Sequence, residues 1–413
     1  DYVAEMVRRE MVERFGNAAY NDGYVVYTTV EAKRQQAAHD AVLSGLRTYD
    51  WRHGWRGPER RLAPREGELP EQTLERWQEA LRAMPTIAKL PPGIITEVGE
   101  EEVTVLTKSG ESISLLWEGD LAKVRRYRSV NQTSAAEKTA SDLLARGDLI
   151  RIREVAQGWR LTQVPKAQAA LVSLDPKHGA IRALVGGMGF ELSKFNRATQ
   201  AKRQPGSNFK PFLYASALSA GITPSTVIND APVVLDNLAA AEIWRPENDS
   251  GKFYGPTRLR EALTFSRNLV SLRVLQRVGV RSFIRFIEAL GFDTEDMQAN
   301  LTLALGTHTY TPLDIATGYA LLANEGFKVE PWLIERIENA AGEIVYAADP
   351  LVACAECVRS DDKESEEMRM EDILGAAVPE VRAAEQVMDP RVAYITSSFL
   401  NDASQRGCLS RSN

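Results

Sequence analysis

Two short strings in the chain carry residues whose types and spacing suit acyl-transfer chemistry. In "RQPGSNFKPFLYASAL", residues 203–218, Ser207 stands three positions ahead of Lys210, just after a Pro-Gly turn. A serine hydroxyl is a poor nucleophile until a base takes its proton. A lysine can be that base once burial and nearby positive charge pull its pKa well below the free value of about 10.4. Pro211 lacks an N–H and is tolerated only in a first helical turn, which puts Ser207 at the mouth of a helix. There the positive end of the helix dipole favours an alkoxide and disfavours an ammonium, and the serine N–H is placed to bind an oxyanion. Further along, "LTFSRNLVSL" sets Ser266 and Asn268 two apart between apolar flanks. On a loop between two helices such a pair can face the lysine, Ser266 passing its proton onward and Asn268 orienting a substrate amide. Taken alone, each string is also a plain helix cap, the first with a surface lysine one turn on. Their order within the surrounding layout favours the chemical reading.

The helix carrying Ser207 and Lys210 must be largely buried. Phe209, Phe212, Leu213, Ser216 and Ala217 make one face and Ser207, Lys210, Tyr214 and Leu218 another, leaving few polar positions. Ser207 and Lys210, at i and i+3, stand side by side on it. Upstream, "AQAALVSLDPKHGAIRALVGG" reads as two strands around a turn. Downstream come "TRLREALTFSRNLVSLRVLQRVG", "VRSFIRFIEALG" and "TPLDIATGYALLANEG", all helical, and the strand "PWLIERIEN". An antiparallel sheet with helices clustered against it buries those faces, an α+β class. The acidic run "SDDKESEEMRMED" is expected to be a solvated loop.

From about Leu90 to Gln163 the pattern changes to short alternating strands: "GIITEVG", "EVTVLTKSG", "SISLLW", then, after a polar helical stretch, "DLIRIREV" and "GWRLTQV". Five strands with a helix between the third and fourth fit a small barrel of the oligonucleotide- and oligosaccharide-binding (OB) type. Its "KVRRYR", Lys123 to Arg128, reads as a solvated strand edge rather than a nucleic-acid patch. Ahead of the barrel lie the amphipathic helix "YVAEMVRREMVERFG", the strand "GYVVYTTV" and a second helix, "EAKRQQAAHDAVLSGLR".

At 413 residues, 44% hydrophobic and 26% charged, the chain has room for two or three globular domains. A net charge of -6 argues against a nucleic-acid protein. No apolar run approaches the roughly 18 residues of a membrane span. The chain begins at Asp1, so a targeting or anchoring segment is expected upstream. Three cysteines, Cys354, Cys357 and Cys408, are too few ligands for a zinc site, so no metal or cofactor is expected. "CAEC" is either a local disulfide or two idle thiols.

At these residues the sequence resembles the transpeptidase domain of class A penicillin-binding proteins, the bifunctional cell-wall synthases of Gram-negative bacteria. The likeness extends to "YGPTRLREALTFSRNLVSLR", "LALGTHTYTPLDIATGYALLANEG" and the N-terminal string before "GYVVYTTV". It implies a penicillin-binding transpeptidase fold, serine β-lactamase-like, with an inserted OB-like barrel. On it, residues 1–60 form a linker region, 61–163 the OB-like module and 164–413 a transpeptidase domain with an incomplete C-terminal part. It further implies a serine acyltransferase that takes stem peptides ending in D-Ala-D-Ala, releases the last D-Ala and passes the acyl group to a neighbouring amine, with β-lactams as covalent inhibitors. Carried over, Ser207 is the nucleophile, Lys210 the base, Ser266 the relay and Asn268 a ligand for substrate or lysine. The barrel is expected to meet glycan or a protein partner, an outer-membrane or cell-wall regulator, and not nucleic acid. The location implied is the periplasm, with an inner-membrane anchor in the full-length protein.

The sequence departs from the family in two places. The glycosyltransferase domain and anchor expected upstream are absent from it. The family's third motif, Lys-Thr/Ser-Gly, does not follow Ser266 and Asn268. The last lysine is Lys363, the likeness stops near Ala403, and "KSG" at Lys108 to Gly110 falls in a barrel hairpin. Impaired turnover is therefore expected of this chain, and a D,D-carboxypeptidase, a β-lactamase, or a β-lactam sensor or scaffold remain alternatives.

Overall fold

The computed structural model describes residues 1–233, 235–237, 242–357 and 381–410. The acidic run lies outside the described residues. The chain divides into two compact units, one of Asp1, Gln36–Ala170 and Val185–Phe195, the other of Tyr2–Gln35, Leu171–Leu184 and Asn196–Asn413.

In the first unit the five expected strands form at Pro92–Val98, Glu102–Thr107, Ser112–Leu116, Asp148–Val155 and Gly158–Thr162. They pair antiparallel, and the two-residue strand Arg60–Arg61 joins the edge beside Asp148–Val155. Alternation decides what each face buries, because neighbours on a strand point to opposite sides. Ile95, Val103, Val105, Leu115, Ile150 and Ile152 turn inward to form one core with Trp55. Ile94, Leu106 and Leu149 turn the other way onto Trp77 and Leu81 of the helix Pro70–Ala83.

The polar stretch between the third and fourth strands is not the expected helix. It is a hairpin, Arg125–Ser129 with Gln132–Ala136, followed by the single turn Ala140–Leu143. The "KVRRYR" run supplies one arm of that hairpin. Arg125 and Arg128 face solvent, while Arg126 bonds Glu137 (2.9 Å) and the Asp142 and Leu143 carbonyls (2.6 and 2.9 Å). "KSG" sits in the turn after Glu102–Thr107, where Lys108 donates to Met84 O at 2.6 Å.

The second unit holds the expected helices: Lys210–Ser219, Leu259–Thr264, Asn268–Val278, Val280–Ala289 and Pro312–Ala323, with a further one at Pro390–Gln405. Their apolar faces close on one core that includes Phe209, Phe212, Leu272, Phe283, Leu321 and Phe399. Among the described residues, strand pairing comes in separate pieces rather than one sheet. The largest has three strands: Val25–Thr28 pairs antiparallel with Ile334–Glu338, which pairs with Ile344–Ala347. The helix Tyr2–Phe15 covers it, with Met11 buried beside Ile334 and Ile337. Leu171–Leu174 and Ile181–Val185 pair around the expected turn. Cys354 and Cys357 are joined as a disulfide, which decides between the two expectations for "CAEC". Among the described residues no helix is long and apolar enough to cross a membrane.

Candidate active site

Ser207 lies in a 3₁₀ turn, Gly206–Phe209, that runs directly into the α-helix Lys210–Ser219. The sequence places it at the start of the helix itself. The tighter winding has a consequence for the pair, since at three residues per turn positions i and i+3 eclipse. Ser207 and Lys210 therefore stand one above the other.

The turn is clamped from both sides. Gly206 donates its N–H to Gly306 O at 3.2 Å, and Tyr319 donates its hydroxyl to Asn208 O at 3.0 Å. Gly306 has φ +67°, and a Cβ there would come within 2.2 Å of Gly206 O, so this approach requires glycine. Beneath the turn Phe209 stacks on Tyr310 with centroids 5.3 Å apart and meets Phe292 edge-on at 5.4 Å. Ser207 is left exposed at the surface of a cavity of about 480 Å³, while Lys210 is 1% exposed.

Ser266 lies on the expected loop between the helices Leu259–Thr264 and Asn268–Val278, whereas Asn268 opens the second helix rather than sitting on the loop. Ser266 has φ +53°, an unusual conformation for a residue with a side chain, and it turns both its carbonyl and its hydroxyl toward the lysine. Lys210 Nζ makes three contacts: Ser266 O at 2.8 Å, Ser266 Oγ at 2.9 Å and Asn268 Oδ1 at 2.7 Å. Ser207 is not among them, although both serines and Asn268 line the same cavity.

Burial pulls the Lys210 pKa down to about 8 against a smaller opposing influence from Cys408. Its neighbours then determine where the lone pair goes. A carbonyl and an amide oxygen can only accept, so the two hydrogens of a neutral amine go to Ser266 O and Asn268 Oδ1. The lone pair is left facing the Ser266 hydroxyl, the one group of the three able to donate. When the amine is protonated, the same contact reverses direction.

The amide of Asn268 is fixed by what holds its other end. Its Nδ2 donates to Glu247 O at 2.8 Å, which leaves Oδ1 for the lysine. Behind it stands Asn248, a buried residue that no sequence pattern singles out. The helix starting at Asn268 has no side-chain cap from Arg267, and Asn248 Oδ1 fills that role by accepting the Asn268 N–H at 2.8 Å. Asn248 Nδ2 in turn donates to both oxygens of the fully buried Asp230, at 2.9 Å each, and to Lys252 O at 2.8 Å. A connected line of hydrogen bonds thus runs from Asp230 through Asn248 and Asn268 to Lys210.

The rest of the cavity wall is polar and aromatic. The Arg267 guanidinium lies 3.3 Å over the Tyr254 ring, with Phe265 beside it. Gly407 and Cys408 form another side, held by the Cys408 N–H on Thr264 O at 3.0 Å.

A family profile for the penicillin-binding protein OB-like domain matches residues 55–167, and one for the penicillin-binding protein transpeptidase domain matches residues 169–373. Penicillin-binding protein 1A of Pseudomonas aeruginosa is 42% identical over 98% of this chain and 51% of its own length. The protein of the same name from Escherichia coli K12 is 40% identical over 91% of this chain and 44% of its own. The chain thus spans about half the length of the curated relatives it matches. Among solved structures, penicillin-binding protein 1A from Haemophilus influenzae superposes with a TM-score of 0.82 at 35% identity, covering 98% of this chain and 58% of that one.

Proposed function

We propose, since the chain belongs to the class A penicillin-binding proteins and carries their OB-like and transpeptidase domains, that its Ser207 cavity is the acylation site of a D,D-transpeptidase. The observation that carries this reading is Lys210: a buried amine with a lowered pKa, held by Ser266 and Asn268 one turn from an exposed serine. A surface lysine after a helix cap would have none of these properties.

In this reading Ser207 Oγ attacks the carbonyl carbon between the two D-Ala residues of a stem peptide, and its proton passes to Lys210 Nζ by way of the Ser266 hydroxyl, the group the amine lone pair faces. The tetrahedral intermediate collapses by breaking the C–N bond. The departing D-Ala nitrogen takes a proton from Lys210 by way of the Ser266 hydroxyl, which gives one proton and receives another. An amine from a second stem peptide then attacks the ester carbonyl and loses a proton along the same route to Lys210, which returns it to Ser207 Oγ as the ester C–O bond breaks. Asn268 keeps Lys210 pointed at Ser266 throughout. A β-lactam enters by the same attack, but its leaving nitrogen stays tethered, so the ester persists and the protein is a target of these drugs. The setting for this chemistry is the periplasm, and the OB-like unit is the part suited to meeting a cell-wall partner.

Intact mass after incubation with a penicillin, followed by peptide mapping, tests the proposal. A stable adduct on Ser207 that is lost in Ser207→Ala is the expected result. An adduct elsewhere, or none in a demonstrably folded chain, overturns the assignment. Incubation with a D-Ala-D-Ala peptide and an amine acceptor should then give the crosslinked peptide. Free D-Ala with only the hydrolysed peptide would make the site a carboxypeptidase.

A further inference from the structure

The first unit contains a second concavity, of about 350 Å³, between the end of the helix Ala32–Arg52 and the barrel strands Asp148–Val155 and Gly158–Thr162. Arg47, Arg52, Arg153 and Arg160 line it, with Asp120 the one carboxylate, an excess of three positive charges in a chain of net charge -6. Like charges placed together in this way repel, and the fold offsets only part of that repulsion. Arg153 and Arg160 are direct cross-strand partners, an arrangement that destabilises a sheet when the charges match. Among the described residues neither has a carboxylate within ion-pair distance. Arg47 donates through Nη2 to Ala88 O at 2.7 Å, but its buried Nε has no hydrogen-bond partner among the described residues. Burial, and then the nearby Arg153, push the Arg47 pKa down, with Asp40 a smaller opposing influence, and Asp120, which accepts the Leu161 N–H at 3.1 Å, is the one carboxylate lining the concavity to act on Arg160 and Arg153.

We propose that this concavity binds a phosphate-type polyanion of the diphosphate class. A single carboxylate would offset one of the three excess charges, whereas a diphosphate can offset all of them. Its oxygens also suit the planar two-pronged donors that several guanidiniums present together. The volume lies at the small end of ligand pockets, room for a diphosphate and little beyond it. Half-exposed Trp51 at the rim offers an apolar face to whatever carries the anion.

Calorimetric titration of the full chain with inorganic pyrophosphate at low ionic strength tests this. The expected result is saturable one-to-one binding, weakened about ten- to a hundredfold in Arg153→Gln and unchanged in Arg128→Gln, a solvent-facing arginine of the same unit. Without ligand, Arg153→Gln should melt no lower than the parent, because the substitution relieves the repulsion. On adding pyrophosphate the parent should gain melting temperature and the variant should not. A parallel titration with an alkyl diphosphate identifies the source: equal affinity points to the free ion, tighter binding to a diphosphate ester. Acetate binding as tightly as pyrophosphate, equal losses in the two variants, or no saturable heat would each overturn the proposal.

Discussion

With Lys210 Nζ enclosed by two oxygens that can only accept and one hydroxyl, its protonation state controls the site, and burial sets that state near pH 8. Below that value the amine is an ammonium and cannot take a proton. Penicillin acylation of Ser207 is therefore expected to rise about tenfold per pH unit up to about 8 and then level off, as stopped-flow acylation rates across pH will show. Stability moves the same way, since the folded pKa is depressed from 10.5. The cost of burying the ammonium is fully present below pH 8 and is relieved as pH rises toward 10.5. Asn248 gives a second prediction at this scale. Asn248→Ala removes the cap and anchor of Asn268, so acylation should slow about ten- to a hundredfold and stability fall by about 1–3 kcal/mol. If Asn248 positions the lysine's acceptor, the acylation midpoint should also move to lower pH, because a loosened Asn268 Oδ1 stabilises the ammonium less. A merely structural role would leave the midpoint in place. The four residues of the proposed site, Ser207, Lys210, Ser266 and Asn268, are legible because an i, i+3 pair and an S-x-N sit close in sequence. Asn248 and Asp230 are not, because "RPENDSGK" reads as an ordinary polar loop until the fold brings the end of the strand Val227–Asp230 beneath it.

The elements around Ser207 owe their rigidity to a close approach between two loops rather than to the helix alone. Gly306→Ala would drive a methyl group into Gly206 O from a left-handed backbone that alanine resists. The serine turn must then shift. We expect the variant to lose at least tenfold in acylation rate along with some melting temperature, whereas Gly342→Ala, at a glycine of similar φ with open space around it, should lose stability only. Comparing the two by acylation rate and thermal melting separates displacement of the turn from simple backbone strain. The helices of this unit were readable because long amphipathic or apolar runs with Pro and Gly at their ends admit few alternatives. The hairpin at 125–136 was not. One arm, Arg125–Ser129, is mostly arginine and the other, Gln132–Ala136, is all small or polar, so the string has no apolar periodicity that separates strand from helix. What holds it is Arg126 reaching the Asp142 and Leu143 carbonyls, a tertiary contact.

At the scale of the whole molecule, each unit has apolar cores of its own, one built around Phe209, Phe212 and Phe283, the others around Ile95 and Ile152 and around Trp77. Units with separate cores need not melt together, and a ligand that binds one of them stabilises that one. Scanning calorimetry is thus expected to resolve two transitions. Acylation by a penicillin should raise only the transition of the unit holding Ser207. Trp77→Ala empties a fully buried site and removes the Nε1 hydrogen bond to Leu62 O (2.8 Å), so it should lower only the other, by about 3–5 kcal/mol. The acylation rate of that variant should match the parent's, because none of its lost contacts reaches the serine turn. A single transition that responds as one to both changes would mean that the cores are energetically coupled. The OB-like unit would then support the catalytic unit's stability as well as any partner it meets.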